Sequence, residues 1–247
     1  MTVKQRKIVL ASSIIALSFG IVPTVSAMHI MEGFLPPSHC ILWGILCIPF
    51  LIAGFFSINR TRKEHRKTLL IFAMAGAYAF VLSALKIPSV TGSSSHMTGT
   101  GLGAILFGPA AVSILGLIVL IFQALLLAHG GLTTLGANTF SMAIAGPLLT
   151  YGVYKLCQKM KMNRLVSIFL AAFLGDLFTY CVTSVQLAFS HPSEVGGMAA
   201  SLAKFLGIFA VTQIPLAVIE GILTVIVIIG LESYAKSELK ELGYLSR

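Results

Sequence analysis

Residues 101–128 read GLGAILFGPAAVSILGLIVLIFQALLLA, an uncharged run of 28 residues. A membrane-spanning helix needs only about 20 apolar residues, so the run is longer than one crossing requires. Proline removes a backbone donor and clashes with the preceding helical turn. Gly108-Pro109 therefore predicts a break, with a short element at 99–107 and a full helix at 109–128.

The rest of the chain has the composition of an integral membrane protein. Of its 247 residues, 57% are hydrophobic and 10% are charged, whereas soluble proteins are about 25% charged. The apolar stretches predict an all-α integral membrane bundle of seven elements. A half-length element is stable at membrane depth only when protein or a water-filled cavity surrounds it. The predicted elements are 40–58, 68–86, 99–107, 109–128, 137–154, 165–189 and 201–231.

Two short basic loops set the predicted orientation. Residues 59–67 and 155–164 hold much of the positive charge of a chain whose net charge is +9. Cytoplasmic loops carry such an excess of lysine and arginine. The break at Gly108-Pro109 supplies the extra crossing that puts both loops inside, with the C-terminus. The charge therefore indicates topology rather than nucleic-acid binding.

The first 27 residues have the pattern of a signal peptide. Lys4, Arg6 and Lys7 precede an apolar run from Ile8 to Val22, and the small-x-small residues of 25–27 follow. Signal peptidase recognises that order. We expect cleavage after Ala27, a mature chain of 28–247 forming one membrane domain, and a free amino terminus on the outer face.

A free terminus at Met28 has specific metal chemistry. Its α-amine and the deprotonated backbone nitrogen of His29 close a five-membered chelate ring, and that nitrogen and the His29 imidazole close a six-membered ring. Three nitrogens then lie in one plane, an arrangement that suits Ni(II), Cu(II) and low-spin Co(II) better than Zn(II). The alternative is that His29 is only a polar residue near a terminus.

The loop before the short element offers a fourth nitrogen. Residues 87–100 are rich in glycine and serine, contain one histidine, His96, and are predicted to lie outside. His96 can therefore fill the fourth in-plane position, unless it is merely solvated. His129 and His191 are predicted on the same side and are rivals to His96, but they lack its motif context.

Three motifs stand out in the sequence: MHIMEGFLP at 28–36, PSVTGSSSHMTGTGLGAILFGP at 88–109 and GGLTTLGANTFSMA at 130–143. Together they resemble the CbiM/NikM family of substrate-binding (S) subunits of energy-coupling-factor (ECF) transporters for cobalt and nickel. The resemblance covers essentially all of the mature chain. It implies an ECF S-component bundle that binds metal through Met28, His29 and His96.

The resemblance also implies a function and partners. The chain would capture Co²⁺, or alternatively Ni²⁺, at the outer face of a bacterial or archaeal inner membrane and serve cobalamin biosynthesis. The partners would be a membrane coupling (T) subunit, two ATP-binding cassette subunits and a small accessory membrane subunit. The sequence has no GxxxxGK[ST] and no HExxH motif, so we expect no enzymatic activity and no organic cofactor. An alternative of another class is a membrane metallo-sensor or assembly protein.

Several other residues have two interpretations each. Glu32 either hydrogen-bonds a ligating imidazole or orients the terminal segment, and Asn138 either holds the His96 loop or caps a helix. Asp176 and Glu220 lie inside apolar spans, where charges are expensive; they either mark an ion path or have partners inside the bundle or at a subunit interface. Small residues four apart on the second element form either an internal packing face or a contact for the coupling subunit. These are Ala73, Ala75, Ala77 and Ala79.

Overall fold

The structure, a computed structural model, describes residues 29–64, 66–88 and 94–245. The predicted leader and Met28 lie outside these residues. Two short strands, β1 (Ile87–Pro88) and β2 (Ser94–Ser95), pair antiparallel. The helices are α1 (Pro37–Glu64), α2 (Leu69–Ala84), α3 (Thr100–Phe107), α4 (Pro109–Leu127), α5 (Leu135–Asn138), α6 (Gly146–Lys159), α7 (Arg164–Ser190), α8 (Gly197–Tyr234) and α9 (Lys236–Glu241).

The all-α membrane fold is confirmed, and each predicted element corresponds to helical chain. Within the described ranges, α1, α4, α7 and α8 have the length and apolar composition to cross a membrane. The helix predicted at 68–86 is shorter, with 16 residues. The chain leaves α2 at Leu85, whereas Pro88 disfavours helix only for residue 87, which the predicted element already left out. By contrast α8, with 38 residues, extends beyond the predicted 201–231.

The predicted break at Gly108-Pro109 is present. Gly108 has φ 83°, a conformation that favours glycine, and Pro109 begins α4. The short helix α3 is surrounded by protein, because every residue from Thr100 to Leu106 is buried. Gly108 lines the same cavity, of about 270 Å³, as Arg60 and Glu64 at the end of α1. Helix α3 therefore runs from the His96 loop towards the basic end of the bundle.

The helix predicted at 137–154 is not regular. Residues Thr139–Ala145, between α5 and α6, form a π-helix, so the helical run from α5 to α6 changes its hydrogen-bond register. Pro147 has no N–H to donate to the carbonyl of residue 143, which frees the preceding turn to widen. π-Helical turns are frequent at functional sites, and this one directly follows Asn138.

The outer surface of the bundle is apolar. Helix α1 exposes many large hydrophobic side chains, and only 11% of the residues in its most apolar stretch are buried. Phe55 and Phe56, for example, are 63% and 66% exposed. A face of this kind is stable against lipid but not against water, in agreement with an integral membrane protein.

Candidate metal centre

Three buried imidazoles meet near one end of α4. His29 precedes α1, His96 lies between β2 and α3, and His129 lies between α4 and α5; none is more than 4% exposed. The ring centroids are 4.4 to 4.9 Å apart. One nitrogen from each ring lies within 4.8 Å of the other two. The three side chains thus form a group that can hold a metal ion.

Hydrogen bonds determine which nitrogens of His29 and His96 carry hydrogen. His29 Nε2 lies 2.9 Å from Gln123 Oε1, and the Gln123 amide nitrogen donates to Ser83 Oγ; His29 Nε2 is therefore the donor. His96 Nδ1 lies 2.8 Å from the carbonyl oxygen of Met97, so Nδ1 is the donor there. The remaining nitrogens, His29 Nδ1 and His96 Nε2, face each other at 3.1 Å, each with a lone pair.

Burial keeps these imidazoles neutral. It lowers the pKa of His29 well below its ordinary value, with the charge of a protonated His96 as the second cause. Burial also lowers the pKa of His96, to about 4. Desolvation lowers the pKa of His129 as well, followed by the effects of His29 and His96. At neutral pH all three rings therefore offer lone pairs, which is the form that binds metal.

The segment that carries His29 is held by the loop before α5 and by α5 itself. The Ile30 N–H donates to Asn138 Oδ1 (2.8 Å), and the Ile30 carbonyl accepts from Asn138 Nδ2 (3.0 Å) and from Thr134 Oγ1 (2.6 Å). The Glu32 carboxylate accepts from the Thr133 N–H at 3.3 Å. The terminal segment is thus fixed to residues 133–138.

These contacts bear on the alternatives for two residues. The described contacts join Glu32 to Thr133 rather than to an imidazole, which favours a role in orienting the terminal segment. The described side-chain contacts of Asn138 are with the backbone of Ile30 and the Thr134 hydroxyl, and none of them caps a helix. The sequence separation of 108 residues explains why local patterns did not predict this contact.

The His96 loop is held by the opposite side of the bundle. The Tyr180 hydroxyl of α7 donates to the His96 carbonyl oxygen at 2.5 Å, and the Gln213 amide of α8 donates to the same oxygen at 3.3 Å. The His96 carbonyl therefore has two donors from two helices. This arrangement orients the ring towards His29.

Asp176 and Glu220 hold the next turn of the same loop. The Thr98 N–H donates to Glu220 (2.6 Å) and to Asp176 (3.2 Å), and the Thr98 hydroxyl donates to Glu220 at 3.0 Å. Asp176 also accepts from Gln213. The interpretation that these acids have partners within the bundle is confirmed.

The predicted face of small residues on α2 is divided. Ala75 and Ala79 are buried and pack inside the bundle, so they form no outer contact surface. Ala73 and Ala77 are exposed and line an apolar groove of about 390 Å³ between α2 and α4. Residues four apart share a helix face, but 73/77 and 75/79 lie on different faces.

His129 is the member of the group that motif analysis set aside. It follows α4 and has a φ-positive neighbour, Ala128, which turns the chain inwards. His191, its equal as a rival in the sequence, is exposed and packs on Phe34. The signal available in the sequence was the position of His129 directly before the third motif.

Comparisons with known proteins agree with this geometry. Residues 29–238 match the family described as "Cobalt uptake substrate-specific transmembrane region", CbiM. The chain is 68% identical over 246 residues to the "Cobalt transport protein CbiM" of Lachnoclostridium phytofermentans, covering 100% of this chain and 98% of that protein. A protein of the same name from Chlorobium limicola is 59% identical over 225 residues, covering 91% and 89%.

Solved structures show the same architecture. A structure described as a transition metal transporter superposes with a TM-score of 0.72 at 28% identity, covering 83% of this chain and 92% of that one. A truncated transition metal transporter gives a TM-score of 0.71 at 27% identity, with 83% and 99% covered. The chain therefore belongs to the CbiM family and is a multi-pass membrane component of cobalt uptake.

Proposed function

We propose that this protein is the metal-binding S subunit of an ECF-type importer, which captures Co²⁺ at the outer face of the membrane. One observation carries the proposal: two buried, neutral imidazoles direct lone pairs at each other across 3.1 Å. Two lone pairs in that position repel, and a cation between them converts the repulsion into two bonds. Metal–nitrogen bonds of about 2 Å separate neighbouring ligands by roughly 2.8 to 3.3 Å.

The free nitrogen of His29 is also the one that the terminal chelate requires. A six-membered ring that includes the His29 backbone nitrogen closes through Nδ1, not through Nε2. Gln123 accepts from Nε2 and so leaves Nδ1 for the metal. We propose four in-plane ligands: the Met28 amine, the His29 backbone nitrogen, His29 Nδ1 and His96 Nε2.

The chelate depends on removal of residues 1–27. Only cleavage after Ala27 turns the Met28 nitrogen from a peptide amide into a free amine that can bind metal. We propose that the mature amino terminus is on the outer side and that the basic loops and the C-terminus are cytoplasmic.

Cobalt is favoured over nickel because both named relatives are cobalt transport proteins. Nickel remains an alternative, since a square plane of nitrogens suits both ions. The imported cobalt would supply cobalamin synthesis. Because the sequence has no phosphate-binding motif, two ATP-binding cassette subunits would supply energy through a coupling subunit, alongside a small accessory subunit. Ala73 and Ala77 would contact the coupling subunit in the membrane.

The test is metal retention by the purified protein after dialysis. His29→Ala and His96→Ala should each lose cobalt, whereas His191→Ala, a change at an exposed histidine outside the group, should retain it. Mass spectrometry of the same preparation should show a chain that begins at Met28. Retention at the wild-type level in both site variants would overturn the proposed centre. Cobalt uptake by cells with and without the partner subunits tests the transport role.

A further inference from the structure

His129 has no hydrogen-bond partner among the residues that the structure describes. Both of its ring nitrogens are buried, and the residue is 1% exposed. Leaving a buried polar group unpaired costs free energy. His29 and His96 differ in this respect, because each has one nitrogen bound to a protein acceptor. Such a cost is expected where a ligand completes the site.

His129 lies outside the plane of the four proposed ligand nitrogens. Its ring centroid lies 4.4 Å from that of His29, with only 33° between the two ring planes, so it lies over a face of the His29 ring. In the chelate, His29 Nδ1 and the His29 backbone nitrogen bind one ion through a single ring. The His29 imidazole therefore lies close to the ligand plane, and His129 lies to one side of it.

We infer that His129 is an axial ligand, which binds Co(II) perpendicular to the four in-plane nitrogens and selects cobalt over nickel. The inference rests on the proposed function and deepens it. On metal entry the His129 ring turns about its Cβ–Cγ bond, and one nitrogen approaches the ion from the face that the ring already covers. The bound ion is then a five-coordinate, low-spin square pyramid.

The electron counts of the two ions explain the selection. Low-spin Co(II) is d⁷, and its orbital perpendicular to the ligand plane holds one electron, so an axial donor stabilises the ion. Planar Ni(II) is d⁸, that orbital is full, and an axial donor adds little. Selectivity between transition metals depends on such preferred geometries rather than on raw affinity. A neutral nitrogen at this position therefore strengthens the binding of Co(II) more than that of Ni(II).

The experiment uses the mature full-length protein in lipid nanodiscs, loaded with Co²⁺ under exclusion of oxygen. Electron paramagnetic resonance of the wild type should show a three-line splitting from one axial ¹⁴N, which becomes two lines after labelling with ¹⁵N-histidine. His129→Phe and His129→Gln should lose the splitting while still binding one ion. In competition dialysis, both variants should lower the cobalt-to-nickel ratio about tenfold or more.

The controls separate this inference from the proposed function. His191→Ala should keep both the splitting and the ratio. Since His129→Phe replaces an unpaired polar ring by an apolar one, the metal-free variant should be at least as heat-stable as the wild type; should it not fold, His129→Gln and the labelled wild type decide. A wild type without axial nitrogen, or a variant that keeps it or keeps the ratio, would overturn the inference. Full cobalt retention in His29→Ala and His96→Ala would instead overturn the proposed function.

Discussion

Replacing Asn138 by leucine should weaken cobalt binding without touching a proposed ligand. The substitution removes the acceptor of the buried Ile30 N–H and one of the two described donors to the Ile30 carbonyl, while Thr134 still donates to that carbonyl. Leaving one buried N–H unpaired costs about 1–3 kcal/mol. If that cost acts on the ordered terminal segment, cobalt affinity falls by about 5- to 150-fold.

The assay is equilibrium dialysis of the purified variants against cobalt over a range of concentrations. Thr134→Val is the matched control, because Asn138 still donates to the Ile30 carbonyl and the Ile30 N–H keeps its acceptor. Its loss of affinity should be smaller, below about fivefold. Circular dichroism should show the same helix content in both. An Asn138→Leu protein that binds cobalt within twofold of wild type, or a Thr134→Val protein that is equally impaired, would refute the reasoning.

Three other predictions follow from the site and its surface. Gln123→Leu removes the acceptor of His29 Nε2, and dialysis should show cobalt affinity lowered by about 10- to 100-fold; unchanged affinity would contradict the role of Gln123. Because burial lowers the pKa of His96 to about 4, acidification through pH 6.5 should weaken cobalt binding only through the proton-releasing amine and amide. A plot of log affinity against pH should keep one slope there, and a steeper slope below pH 6.5 would argue against neutral imidazoles. Ala77→Trp should fill the groove on α2 and abolish cellular cobalt uptake while binding by the purified protein persists; Ile41→Trp, on the exposed face of α1, is its control.

The parts of the fold that depend on local chemistry could be predicted from the sequence. Gly108-Pro109 interrupts a helix because of its own backbone restrictions, so the break needed no knowledge of neighbouring elements. The end of α2 at Ala84 does not follow from such a local rule, because the restriction that Pro88 imposes reaches only residue 87, beyond the predicted end at residue 86. Helix α8 extends past the predicted run by the small and apolar residues 197–200 at one end and by residues 232–234 at the other, because a boundary drawn from hydropathy need not coincide with the end of a helix.

The parts of the site that depend on tertiary packing could not be predicted. His29 and His96 were identified because one stands at a chelating terminus and the other in a distinctive loop. The roles of Gln123 and Asn138 arise from contacts across 94 and 108 residues of sequence. The burial of His129 depends on how the chain turns after α4. Pro147 is a local feature beside the π-helix, but a proline within a helical run predicts a kink rather than a change of hydrogen-bond register.

Hydrogen bonds connect the segments of the two facing imidazoles, His29 and His96, to different pairs of helices. His29 is connected to α4 through Gln123, and its neighbour Ile30 is connected to the end of α5 through Asn138. His96 is connected to α7 through Tyr180 and, by way of Thr98, to α8 through Glu220. A shear of α7 and α8 against α4 and α5 would therefore move the facing nitrogens of His29 and His96 apart, without unfolding of a loop. A partner subunit that displaced those helices from the lipid side would then release the ion without contacting it.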